Sequence, residues 1–303
     1  MGCDVGTAQE SRAVSSRLVL GTVQFGQRYG VANSGGRVSG EETAAILKHA
    51  RAAGLDTLDT AIAYGEAEQR LGAIGVGQWQ VISKLPPVPD GCADVAAWVR
   101  DCVRGSLQRL KVAALHGLLL HRSQDLLGSS GAALSVALAA TKSAGLVAKL
   151  GVSIYAPEEL DDLASRMQLD VVQAPLSIVD RRLASSGWLA RLHAAGTEVH
   201  VRSVFLQGLL LMDPGLRPAR FARWQQLWDQ WDRWLAEQAL TPVQACISFA
   251  LSQPGIDRVV VGVDSLQQLQ EIIAGTTARS PAPPATLMNA DLDLVNPSRW
   301  GAS

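Results

Sequence analysis

The segment Arg17-Leu-Val-Leu-Gly-Thr-Val23 is a short apolar run, and the segment 40–53 that follows it has a helical pattern. We interpret the first as a β-strand and the second as a helix that Ser39 and Glu42 begin as a reciprocal capping pair. The same alternation of an apolar run and a helical pattern recurs along the chain. The further strand-like runs are Thr57–Asp59, Gln80–Ser83, Leu115–His121, Lys149–Ile154, Asp170–Gln173, Glu198–Ser203 and Arg258–Val261.

The number of strand–helix units indicates the fold class. Continuous apolar runs are typical of parallel strands, because crossover helices cover both of their faces. Eight units within about 260 residues match a (β/α)₈ TIM barrel in size and in unit count. A doubly wound open sheet is the alternative, but the first strand is followed by Gly21-Thr-Val-Gln-Phe-Gly26, which is not the Gly-x-Gly-x-x-Gly fingerprint of that fold. We therefore expect a single-domain α/β protein with a (β/α)₈ barrel.

We place the barrel, as the catalytic domain, at residues 17–280 and expect a tail on either side of it. Residues 1–16 are expected to form a flexible tail. A proline cluster that begins at Pro281 interrupts helical continuity, so residues 281–303 are expected to form a C-terminal tail or loop.

The composition excludes several classes of partner. The 27 basic and 28 acidic residues nearly cancel, so the chain lacks the electrostatic field that attracts nucleic acid or an anionic membrane. Neither a signal peptide nor an apolar run of about 18 residues is visible. The four cysteines stand far apart and, like the histidines, lack the spacing of metal ligands. We expect a cytoplasmic protein without a metal.

Four polar residues stand at or near the carboxyl ends of three predicted strands. Asp59 ends the second strand and Tyr64 lies five residues later, whereas Lys84 follows the third strand and His121 closes the fourth. Because these strand ends meet at one mouth of a barrel, we expect the four side chains to converge. Each residue alone has an ordinary structural explanation, but the combination indicates a catalytic site.

This set of groups suits protonation of an oxygen on which negative charge develops as hydride reaches the adjacent carbon. A tyrosine hydroxyl has a pKa near ~10, and we expect the Lys84 ammonium to lower the pKa of Tyr64. Asp59 is expected to pair with Lys84, while His121 orients the substrate oxygen. No side chain donates hydride, so the chemistry requires a cofactor.

Two other reaction types compete with this interpretation. Hydrolysis is disfavoured because no serine or cysteine has a base beside it. An aldolase-type barrel with Lys84 as a Schiff-base nucleophile is a further alternative, although Asp59 is expected to keep Lys84 charged.

Several phrases resemble the aldo-keto reductase family and occur in the order found in that family. The resemblance spans about residues 17–275 and implies a (β/α)₈ barrel that binds a nicotinamide cofactor across its carboxyl-end face and reduces aldehydes or ketones. Asp59, Tyr64, Lys84 and His121 match the catalytic tetrad of the family. The phrases are Leu20-Gly-Thr-Val-Gln-Phe-Gly26, Leu58-Asp-Thr-Ala-Ile-Ala-Tyr-Gly65, Ser83-Lys84, Leu120-His-Arg122 and Val172-Gln-Ala-Pro175.

The resemblance also implies a set of cofactor contacts. Ser153 and Gln173 match the pair that holds the nicotinamide carboxamide. Arg202 stands where the family usually stacks an aromatic ring on the nicotinamide, and its charge would favour the reduced, uncharged ring. The complete set is Thr22, Ser153, Gln173, Arg202, Ser203, Phe205, Gln207, Gly262, Ser265 and Gln268.

The segment 262–272 resembles the part of the family that binds the adenosine end of the cofactor. Ser265 is expected to cap a helix there and to leave N–H groups for an anion. Asp264 and Gln268 stand where the family tends to have lysine or arginine, and Ile272 stands where it has asparagine. An acidic side chain repels a 2′-phosphate but accepts a hydrogen bond from a ribose hydroxyl, so both NADP(H) and NAD(H) stay open.

The remaining features concern the substrate and possible partners. The polar loop after the first strand, with Tyr29 as its one ring, indicates a hydroxylated, sugar-like carbonyl substrate. Trp300 is a candidate apolar wall of the substrate site, with a tail packed at the barrel base as the alternative. A stripe of four tryptophans favours core packing over a partner surface; its members are Trp224, Trp228, Trp231 and Trp234.

The preferred function is therefore NAD(P)(H)-dependent reduction of an aldehyde or ketone with Tyr64 as general acid. The alternative is a regulatory barrel that binds nicotinamide with little turnover, which the altered cofactor positions Arg202, Asp264 and Ile272 suggest.

Overall fold

Eight parallel strands form a closed barrel in the computed structural model, which describes residues 14–300. The first strand pairs with the eighth, with Leu18 beside Val259 and Gly21 beside Gly262. The predicted (β/α)₈ barrel is confirmed, and the open-sheet alternative is wrong. The strands are β1 (Leu18–Gly21), β2 (Thr57–Asp59), β3 (Gln80–Leu85), β4 (Leu115–Leu120), β5 (Val147–Ser153), β6 (Val171–Pro175), β7 (Glu198–Arg202) and β8 (Arg258–Gly262).

Helices alternate with the strands and cover the outside of the barrel. Two helices, rather than one, lie between β1 and β2, between β6 and β7, and between β7 and β8. Within residues 14–300, no helix is both long enough and apolar enough to cross a membrane. The helices are α1 (Val23–Gly26), α2 (Gly40–Ala52), α3 (Ala67–Ile74), α4 (Val95–Leu110), α5 (Gly131–Ser143), α6 (Glu159–Leu163), α7 (Arg182–Ser185), α8 (Trp188–Ala194), α9 (Gln225–Gln238), α10 (Pro242–Ser252), α11 (Leu266–Gly275) and α12 (Leu292–Val295).

The cap of α2 differs from the prediction. Ser39 Oγ accepts a hydrogen bond from the N–H of Glu42 at 3.1 Å, as expected. The Glu42 carboxylate does not return to Ser39, because its Oε1 accepts from the N–H of Leu266 at 2.6 Å. The reciprocal capping pair is therefore wrong: the unsatisfied N–H groups at the start of α11 attract this carboxylate instead. Glu42 ties α2 to α11.

A small apolar layer inside the barrel supports the site from below. Ile82, Leu119 and Val171 form this cluster, separate from the larger core between the sheet and the helices. Side chains alternate between the two faces of a strand, so residues two positions further along point to the same side. Those residues are Lys84, His121 and Gln173. The strand register thus directs three predicted site residues into the mouth of the barrel.

The described part of the N-terminal tail packs against the barrel. Residues 1–13 of the predicted tail lie outside the described residues. Ser15 is buried, and Arg258 on β8 donates a hydrogen bond to the carbonyl oxygen of Ser16. These contacts place residues 14–16 of the predicted tail against the barrel surface, and the flexibility of the tail stays a prediction.

The C-terminal segment packs on the loop that follows β6. Arg181 in that loop donates to the carbonyl oxygens of Pro283 and Pro284 at 3.2 and 3.1 Å. Leu294 and Val295 of α12 are buried. Because the loop after β6 lies on the carboxyl-end side of the barrel, the alternative of a tail packed at the barrel base is wrong.

The tryptophan stripe belongs to the core, as the sequence favours. Trp228, Trp231 and Trp234 are buried on α9. The indole N–H of Trp228 donates to the carbonyl oxygen of Phe221 at 2.9 Å, so its polar edge is satisfied. Only Trp224 is partly accessible.

Candidate active site

Asp59 and Lys84 form a buried ion pair at the ends of β2 and β3. Lys84 Nζ lies 2.6 Å from Asp59 Oδ1 and also donates to the carbonyl oxygen of Thr60 at 3.0 Å. The side chains of Lys84 and Asp59 are 1% and 5% exposed. Gln173 Nε2 donates to Asp59 Oδ2 at 2.7 Å, so both carboxylate oxygens are engaged. This network fixes the position of the ammonium.

The loop after β2 brings Tyr64 beside this pair. A Cβ atom at Gly26, the last residue of α1, would lie 1.7 Å from the carbonyl oxygen of Tyr64, so only glycine permits this close approach. Lys84 Nζ lies 5.1 Å from the centre of the Tyr64 ring. The His121 ring meets the Tyr64 ring edge-on, with 5.7 Å between centroids and an interplanar angle of 81°. The four predicted catalytic residues therefore lie together.

The pKa of Tyr64 differs from the expectation. Burial raises it above its ordinary value, the Asp59 carboxylate raises it further, and Arg202 acts in the opposite direction. The expected lowering by Lys84 is wrong, because desolvation of the ring dominates and Asp59 balances the ammonium charge. Tyr64 is a protonated phenol at neutral pH, which is the form that a proton donor requires.

His121 is a neutral imidazole at neutral pH. Burial lowers the pKa of His121 to about 4, and the charges of Lys84 and Arg202 add to that effect. A neutral ring donates a hydrogen bond through one nitrogen without adding a further cation to the site. Burial also lowers the pKa of Lys84, but the contact with Asp59 opposes this change.

A cleft of about 870 Å³ opens beside Asp59 and Tyr64 and extends along the ends of β1, β7 and β8. Its size is that of a cofactor site. Gln173 and Ser153 are buried and do not line the cleft. Ser265 does not line it either, because its side chain caps α11. The predicted cofactor residues that do line it are Thr22, Arg202, Ser203, Phe205, Gln207, Gly262 and Gln268.

The loop after β7 has a strained backbone. Ser203, Leu206 and Gln207 have φ angles of 62°, 49° and 53°. This left-handed region costs roughly 1 kcal/mol or more for each non-glycine residue. In the described part of the chain, the N–H groups of Val204, Phe205 and Gln207 have no hydrogen-bond acceptor. Successive free N–H groups in such a loop form a concavity that suits an anion, and a pyrophosphate is an anion of this kind.

The far end of the cleft is more acidic than the sequence indicates. Ser265 caps α11 as predicted, but Glu42 occupies the N–H of Leu266. One of the N–H groups that we expected to be free for an anion therefore already donates to a carboxylate. Asp264 lines the cleft nearby, and its Oδ1 accepts a hydrogen bond from Asn33 Nδ2 at 2.7 Å. The sequence offered no signal for Glu42 here beyond its place in the capping motif of α2.

One of the two candidate substrate residues reaches the cleft. Tyr29 lines it, and its hydroxyl accepts a hydrogen bond from Gln207 Nε2 at 3.1 Å. Trp300 does not line it, because its ring packs against Phe221 with 4.8 Å between centroids. The structure therefore does not support Trp300 as a wall of the substrate site.

Sequence reasoning missed Tyr155 at the mouth of the barrel. Its ring centre lies 4.6 Å from the guanidinium carbon of Arg202. Tyr155 comes two residues after the end of β5, and that position at a carboxyl strand end was the available signal.

Comparisons with known proteins agree with the barrel fold. The model of the Aldo/keto reductase family matches residues 17–279. A structure from Pseudomonas aeruginosa, assigned to the aldo-keto reductases, is 25% identical, with a TM-score of 0.64 and coverage of 86% of this chain and 89% of that chain. The holo form of aldo-keto reductase AKR11C1 from Bacillus halodurans, at 19% identity, shares the fold, with a TM-score of 0.67 and coverage of 89% of each chain. No curated protein gives a sequence match.

The family match covers most of the chain and the whole of the barrel that carries the four site residues. Members of this family are oxidoreductases that use NAD(P)H to reduce carbonyl groups, and the cleft beside Tyr64 has the size that such a cofactor requires. The chain belongs to the aldo/keto reductase family and is an NAD(P)H-dependent oxidoreductase.

Proposed function

We propose that this protein reduces an aldehyde or ketone to an alcohol with Tyr64 as the general acid. The observation that carries the proposal is the position of Lys84, whose ammonium lies 2.6 Å from Asp59 Oδ1 and 5.1 Å from the centre of the Tyr64 ring. A protonated phenol beside a fixed cation suits proton transfer to an oxygen on which negative charge develops.

The site residues divide the work between orientation and proton transfer. The neutral imidazole of His121 donates a hydrogen bond that orients the carbonyl oxygen towards Tyr64. The Tyr64 hydroxyl then gives its proton to that oxygen, and the Lys84 ammonium stabilises the phenolate that remains. Asp59 fixes Lys84 and is itself held by Gln173.

The residues along the cleft fit an NAD(P)(H) cofactor. Thr22 and Gly262 line the middle of the cleft, and the loop from Ser203 to Gln207 offers free N–H groups for phosphate oxygens. Ser153 and Gln173 are neighbours across β5 and β6 beside the cleft, but both are buried and do not line it, so the fit of the cofactor rests on the lining residues. The bound cofactor supplies the hydride.

The groups around the mouth support a hydroxylated, sugar-like substrate. The hydroxyl of Tyr29 lines the cleft together with the amide of Gln207. Polar groups at this place match the hydroxyls of a sugar-like carbonyl better than they match an extended apolar molecule.

The test of Tyr64 compares two phenylalanine variants of the purified protein. Tyr64→Phe should lower kcat at least about 100-fold, the usual size of general acid catalysis, while the Kd of NADPH or NADH stays within about twofold. Tyr155→Phe is the matched control, because it removes a hydroxyl at the same barrel mouth while the Tyr64 hydroxyl beside Lys84 remains. We expect it to lower kcat less than Tyr64→Phe does. Undiminished turnover by Tyr64→Phe would show that another group donates the proton.

The same assays separate the competing functions. A regulatory barrel would bind the cofactor tightly but oxidise no NAD(P)H with any aldehyde or sugar. The Schiff-base alternative conflicts with the burial of Lys84, whose Nζ is occupied by Asp59 and Thr60. Borohydride trapping of an adduct on Lys84 would revive that alternative.

A further inference from the structure

Arg202 places a second cation at the mouth of the barrel. It is the last residue of β7, and its side chain lines the same cleft as Tyr64. Its Nη2 donates to the carbonyl oxygen of Ile154 at 2.9 Å, and its Nη1 donates to Ser203 Oγ at 3.2 Å. The guanidinium carbon also lies 4.6 Å from the centre of the Tyr155 ring. These contacts hold the guanidinium in one orientation.

This guanidinium has no carboxylate partner in the described part of the chain. Both of its hydrogen-bond acceptors are neutral. Asp59, the carboxylate of the tetrad, is already engaged by Lys84 and Gln173. The mouth therefore carries one positive charge that nothing balances. A half-buried cation that is partly desolvated and unpaired attracts an anion.

The guanidinium also keeps donors free for a ligand. Arginine has five N–H donors in a planar fork, and the contacts with Ile154 and Ser203 occupy two of its nitrogens without exhausting these donors. The fork matches the spacing of the oxygens of a carboxylate or a phosphate.

The charge of Arg202 reaches the reacting groups. It opposes the increase that burial and Asp59 cause in the pKa of Tyr64, and it adds to the decrease that burial and Lys84 cause in the pKa of His121. Arg202 thus acts on both residues that meet the carbonyl oxygen. A ligand anion on Arg202 would lie close to the site of reduction.

We propose that Arg202 binds the carboxylate or phosphate of the substrate, so that this enzyme prefers anionic carbonyl compounds to neutral ones. The inference rests on the proposed function and names the substrate class of the same site. Two separate sets of groups then hold the substrate: Arg202 holds the oxyanion, while Tyr64 and His121 hold the carbonyl oxygen. Fixing a substrate at two points orients its reacting carbon.

Pairs of carbonyl compounds that differ in charge test the proposal. We would measure kcat/KM for 4-oxobutanoate against 4-oxobutanamide, and for glyceraldehyde 3-phosphate against glyceraldehyde. The wild type should prefer the anionic member of at least one pair by about 10- to 100-fold, the range expected for hydrogen bonds to a charged group. The first pair probes a carboxylate and the second a phosphate.

Three variants assign this preference to a residue. Arg202→Gln should bring the kcat/KM ratio of the anionic to the neutral compound close to one in each pair. Arg202→Lys should retain part of the preference for the anion, because lysine keeps the charge but lacks the planar fork of donors. Arg223→Gln is the control, since Arg223 pairs with Asp291 and Asp293 and does not line the cleft. Its ratios should equal those of the wild type.

A binding measurement without turnover completes the test. Calorimetry should show that succinamate, which carries one carboxylate, binds the wild type more tightly than the neutral succinamide does, and that Arg202→Gln loses this difference. Wild-type ratios near one in both pairs, or ratios that Arg202→Gln leaves unchanged, would overturn the proposal. Weaker NAD(P)H binding by Arg202→Gln with unchanged ratios would also overturn it, by assigning Arg202 to the cofactor phosphates. Failure of the proposed function looks different, because no carbonyl compound would then be reduced, and the comparison of succinamate with succinamide would decide on the anion site alone.

Discussion

Removing one charge of the buried Asp59–Lys84 pair should destabilise the fold more than removing both. Asp59→Asn leaves the Lys84 ammonium, which is 1% exposed, with the carbonyl oxygen of Thr60 as its remaining acceptor. Lys84→Met leaves the Asp59 carboxylate with Gln173 as its remaining side-chain donor. The double variant leaves neutral groups of similar size in the same space.

The size of the effect follows from the burial of the pair. Breaking a buried pair costs about 3–5 kcal/mol, whereas replacing both charges by neutral groups is often close to neutral. Burial lowers the pKa of Lys84, so the unpaired ammonium in Asp59→Asn can lose its proton, which limits the loss of stability. We therefore expect each single variant to lose about 3 kcal/mol at pH 7 and the double variant less than about 2 kcal/mol, which is a coupling energy of at least about 4 kcal/mol.

Urea unfolding followed by tryptophan fluorescence measures these free energies, because Trp228, Trp231 and Trp234 are buried in the native core. A matched cycle on the exposed pair Arg37–Glu66 is the control and should show coupling near zero. Additive losses in the Asp59–Lys84 cycle would refute the argument, since they would mean that the two charges do not stabilise each other.

Two further predictions concern pH and cofactor choice. Because the pKa of His121 is about 4 in the folded protein and near 6.5 in the unfolded chain, the unfolded chain binds an extra proton between these values. Stability should therefore fall as pH decreases from about 6.5 to 4, by at most about 3 kcal/mol, and His121→Gln should reduce this loss in thermal unfolding scans; an identical pH dependence in the variant would contradict the assignment. We place the adenosine of the cofactor at the end of the cleft that Asp264 lines, close to the carboxylate of Glu42 on the N–H of Leu266, so NADH should bind at least about tenfold more tightly than NADPH in a fluorescence titration. Glu42→Gln should reduce the ratio of the NADPH and NADH dissociation constants, whereas Glu41→Gln, at an exposed neighbouring position, should leave the ratio unchanged. Tighter binding of NADPH than of NADH by the wild type would contradict this prediction.

The barrel could be predicted because its signal is local and repeated. Each strand is a short apolar run, and eight of them recur with helical patterns between. The boundaries were less accurate where tertiary contacts decide them. The first strand was predicted over Arg17–Val23 but ends at Gly21, because Val23 begins the helical turn α1 that packs against the Tyr64 loop at Gly26.

The convergence of the four candidate catalytic residues could be predicted from their places at strand ends, but their electrostatics could not. The pKa of Tyr64 depends on how completely the ring is desolvated and on Asp59, and neither quantity is visible in the sequence. The hydrogen-bond partner of Glu42 is likewise decided by a contact that the sequence does not show. Its spacing from Ser39 indicates a local cap, yet α11 lies closer to its carboxylate in the folded chain. Contacts between distant segments of the sequence decide both cases.

Tracing the hydride tests the central claim most directly. The wild-type protein is mixed with an aldehyde and with NADH or NADPH that carries deuterium at both hydrogen positions of nicotinamide C4, and the amount of labelled alcohol is measured by mass spectrometry. We predict one deuterium on the former carbonyl carbon with the wild type and essentially none in the same time with Tyr64→Phe. An alcohol without deuterium, or equal labelling by the two proteins, would contradict a reduction in which Tyr64 supplies the proton.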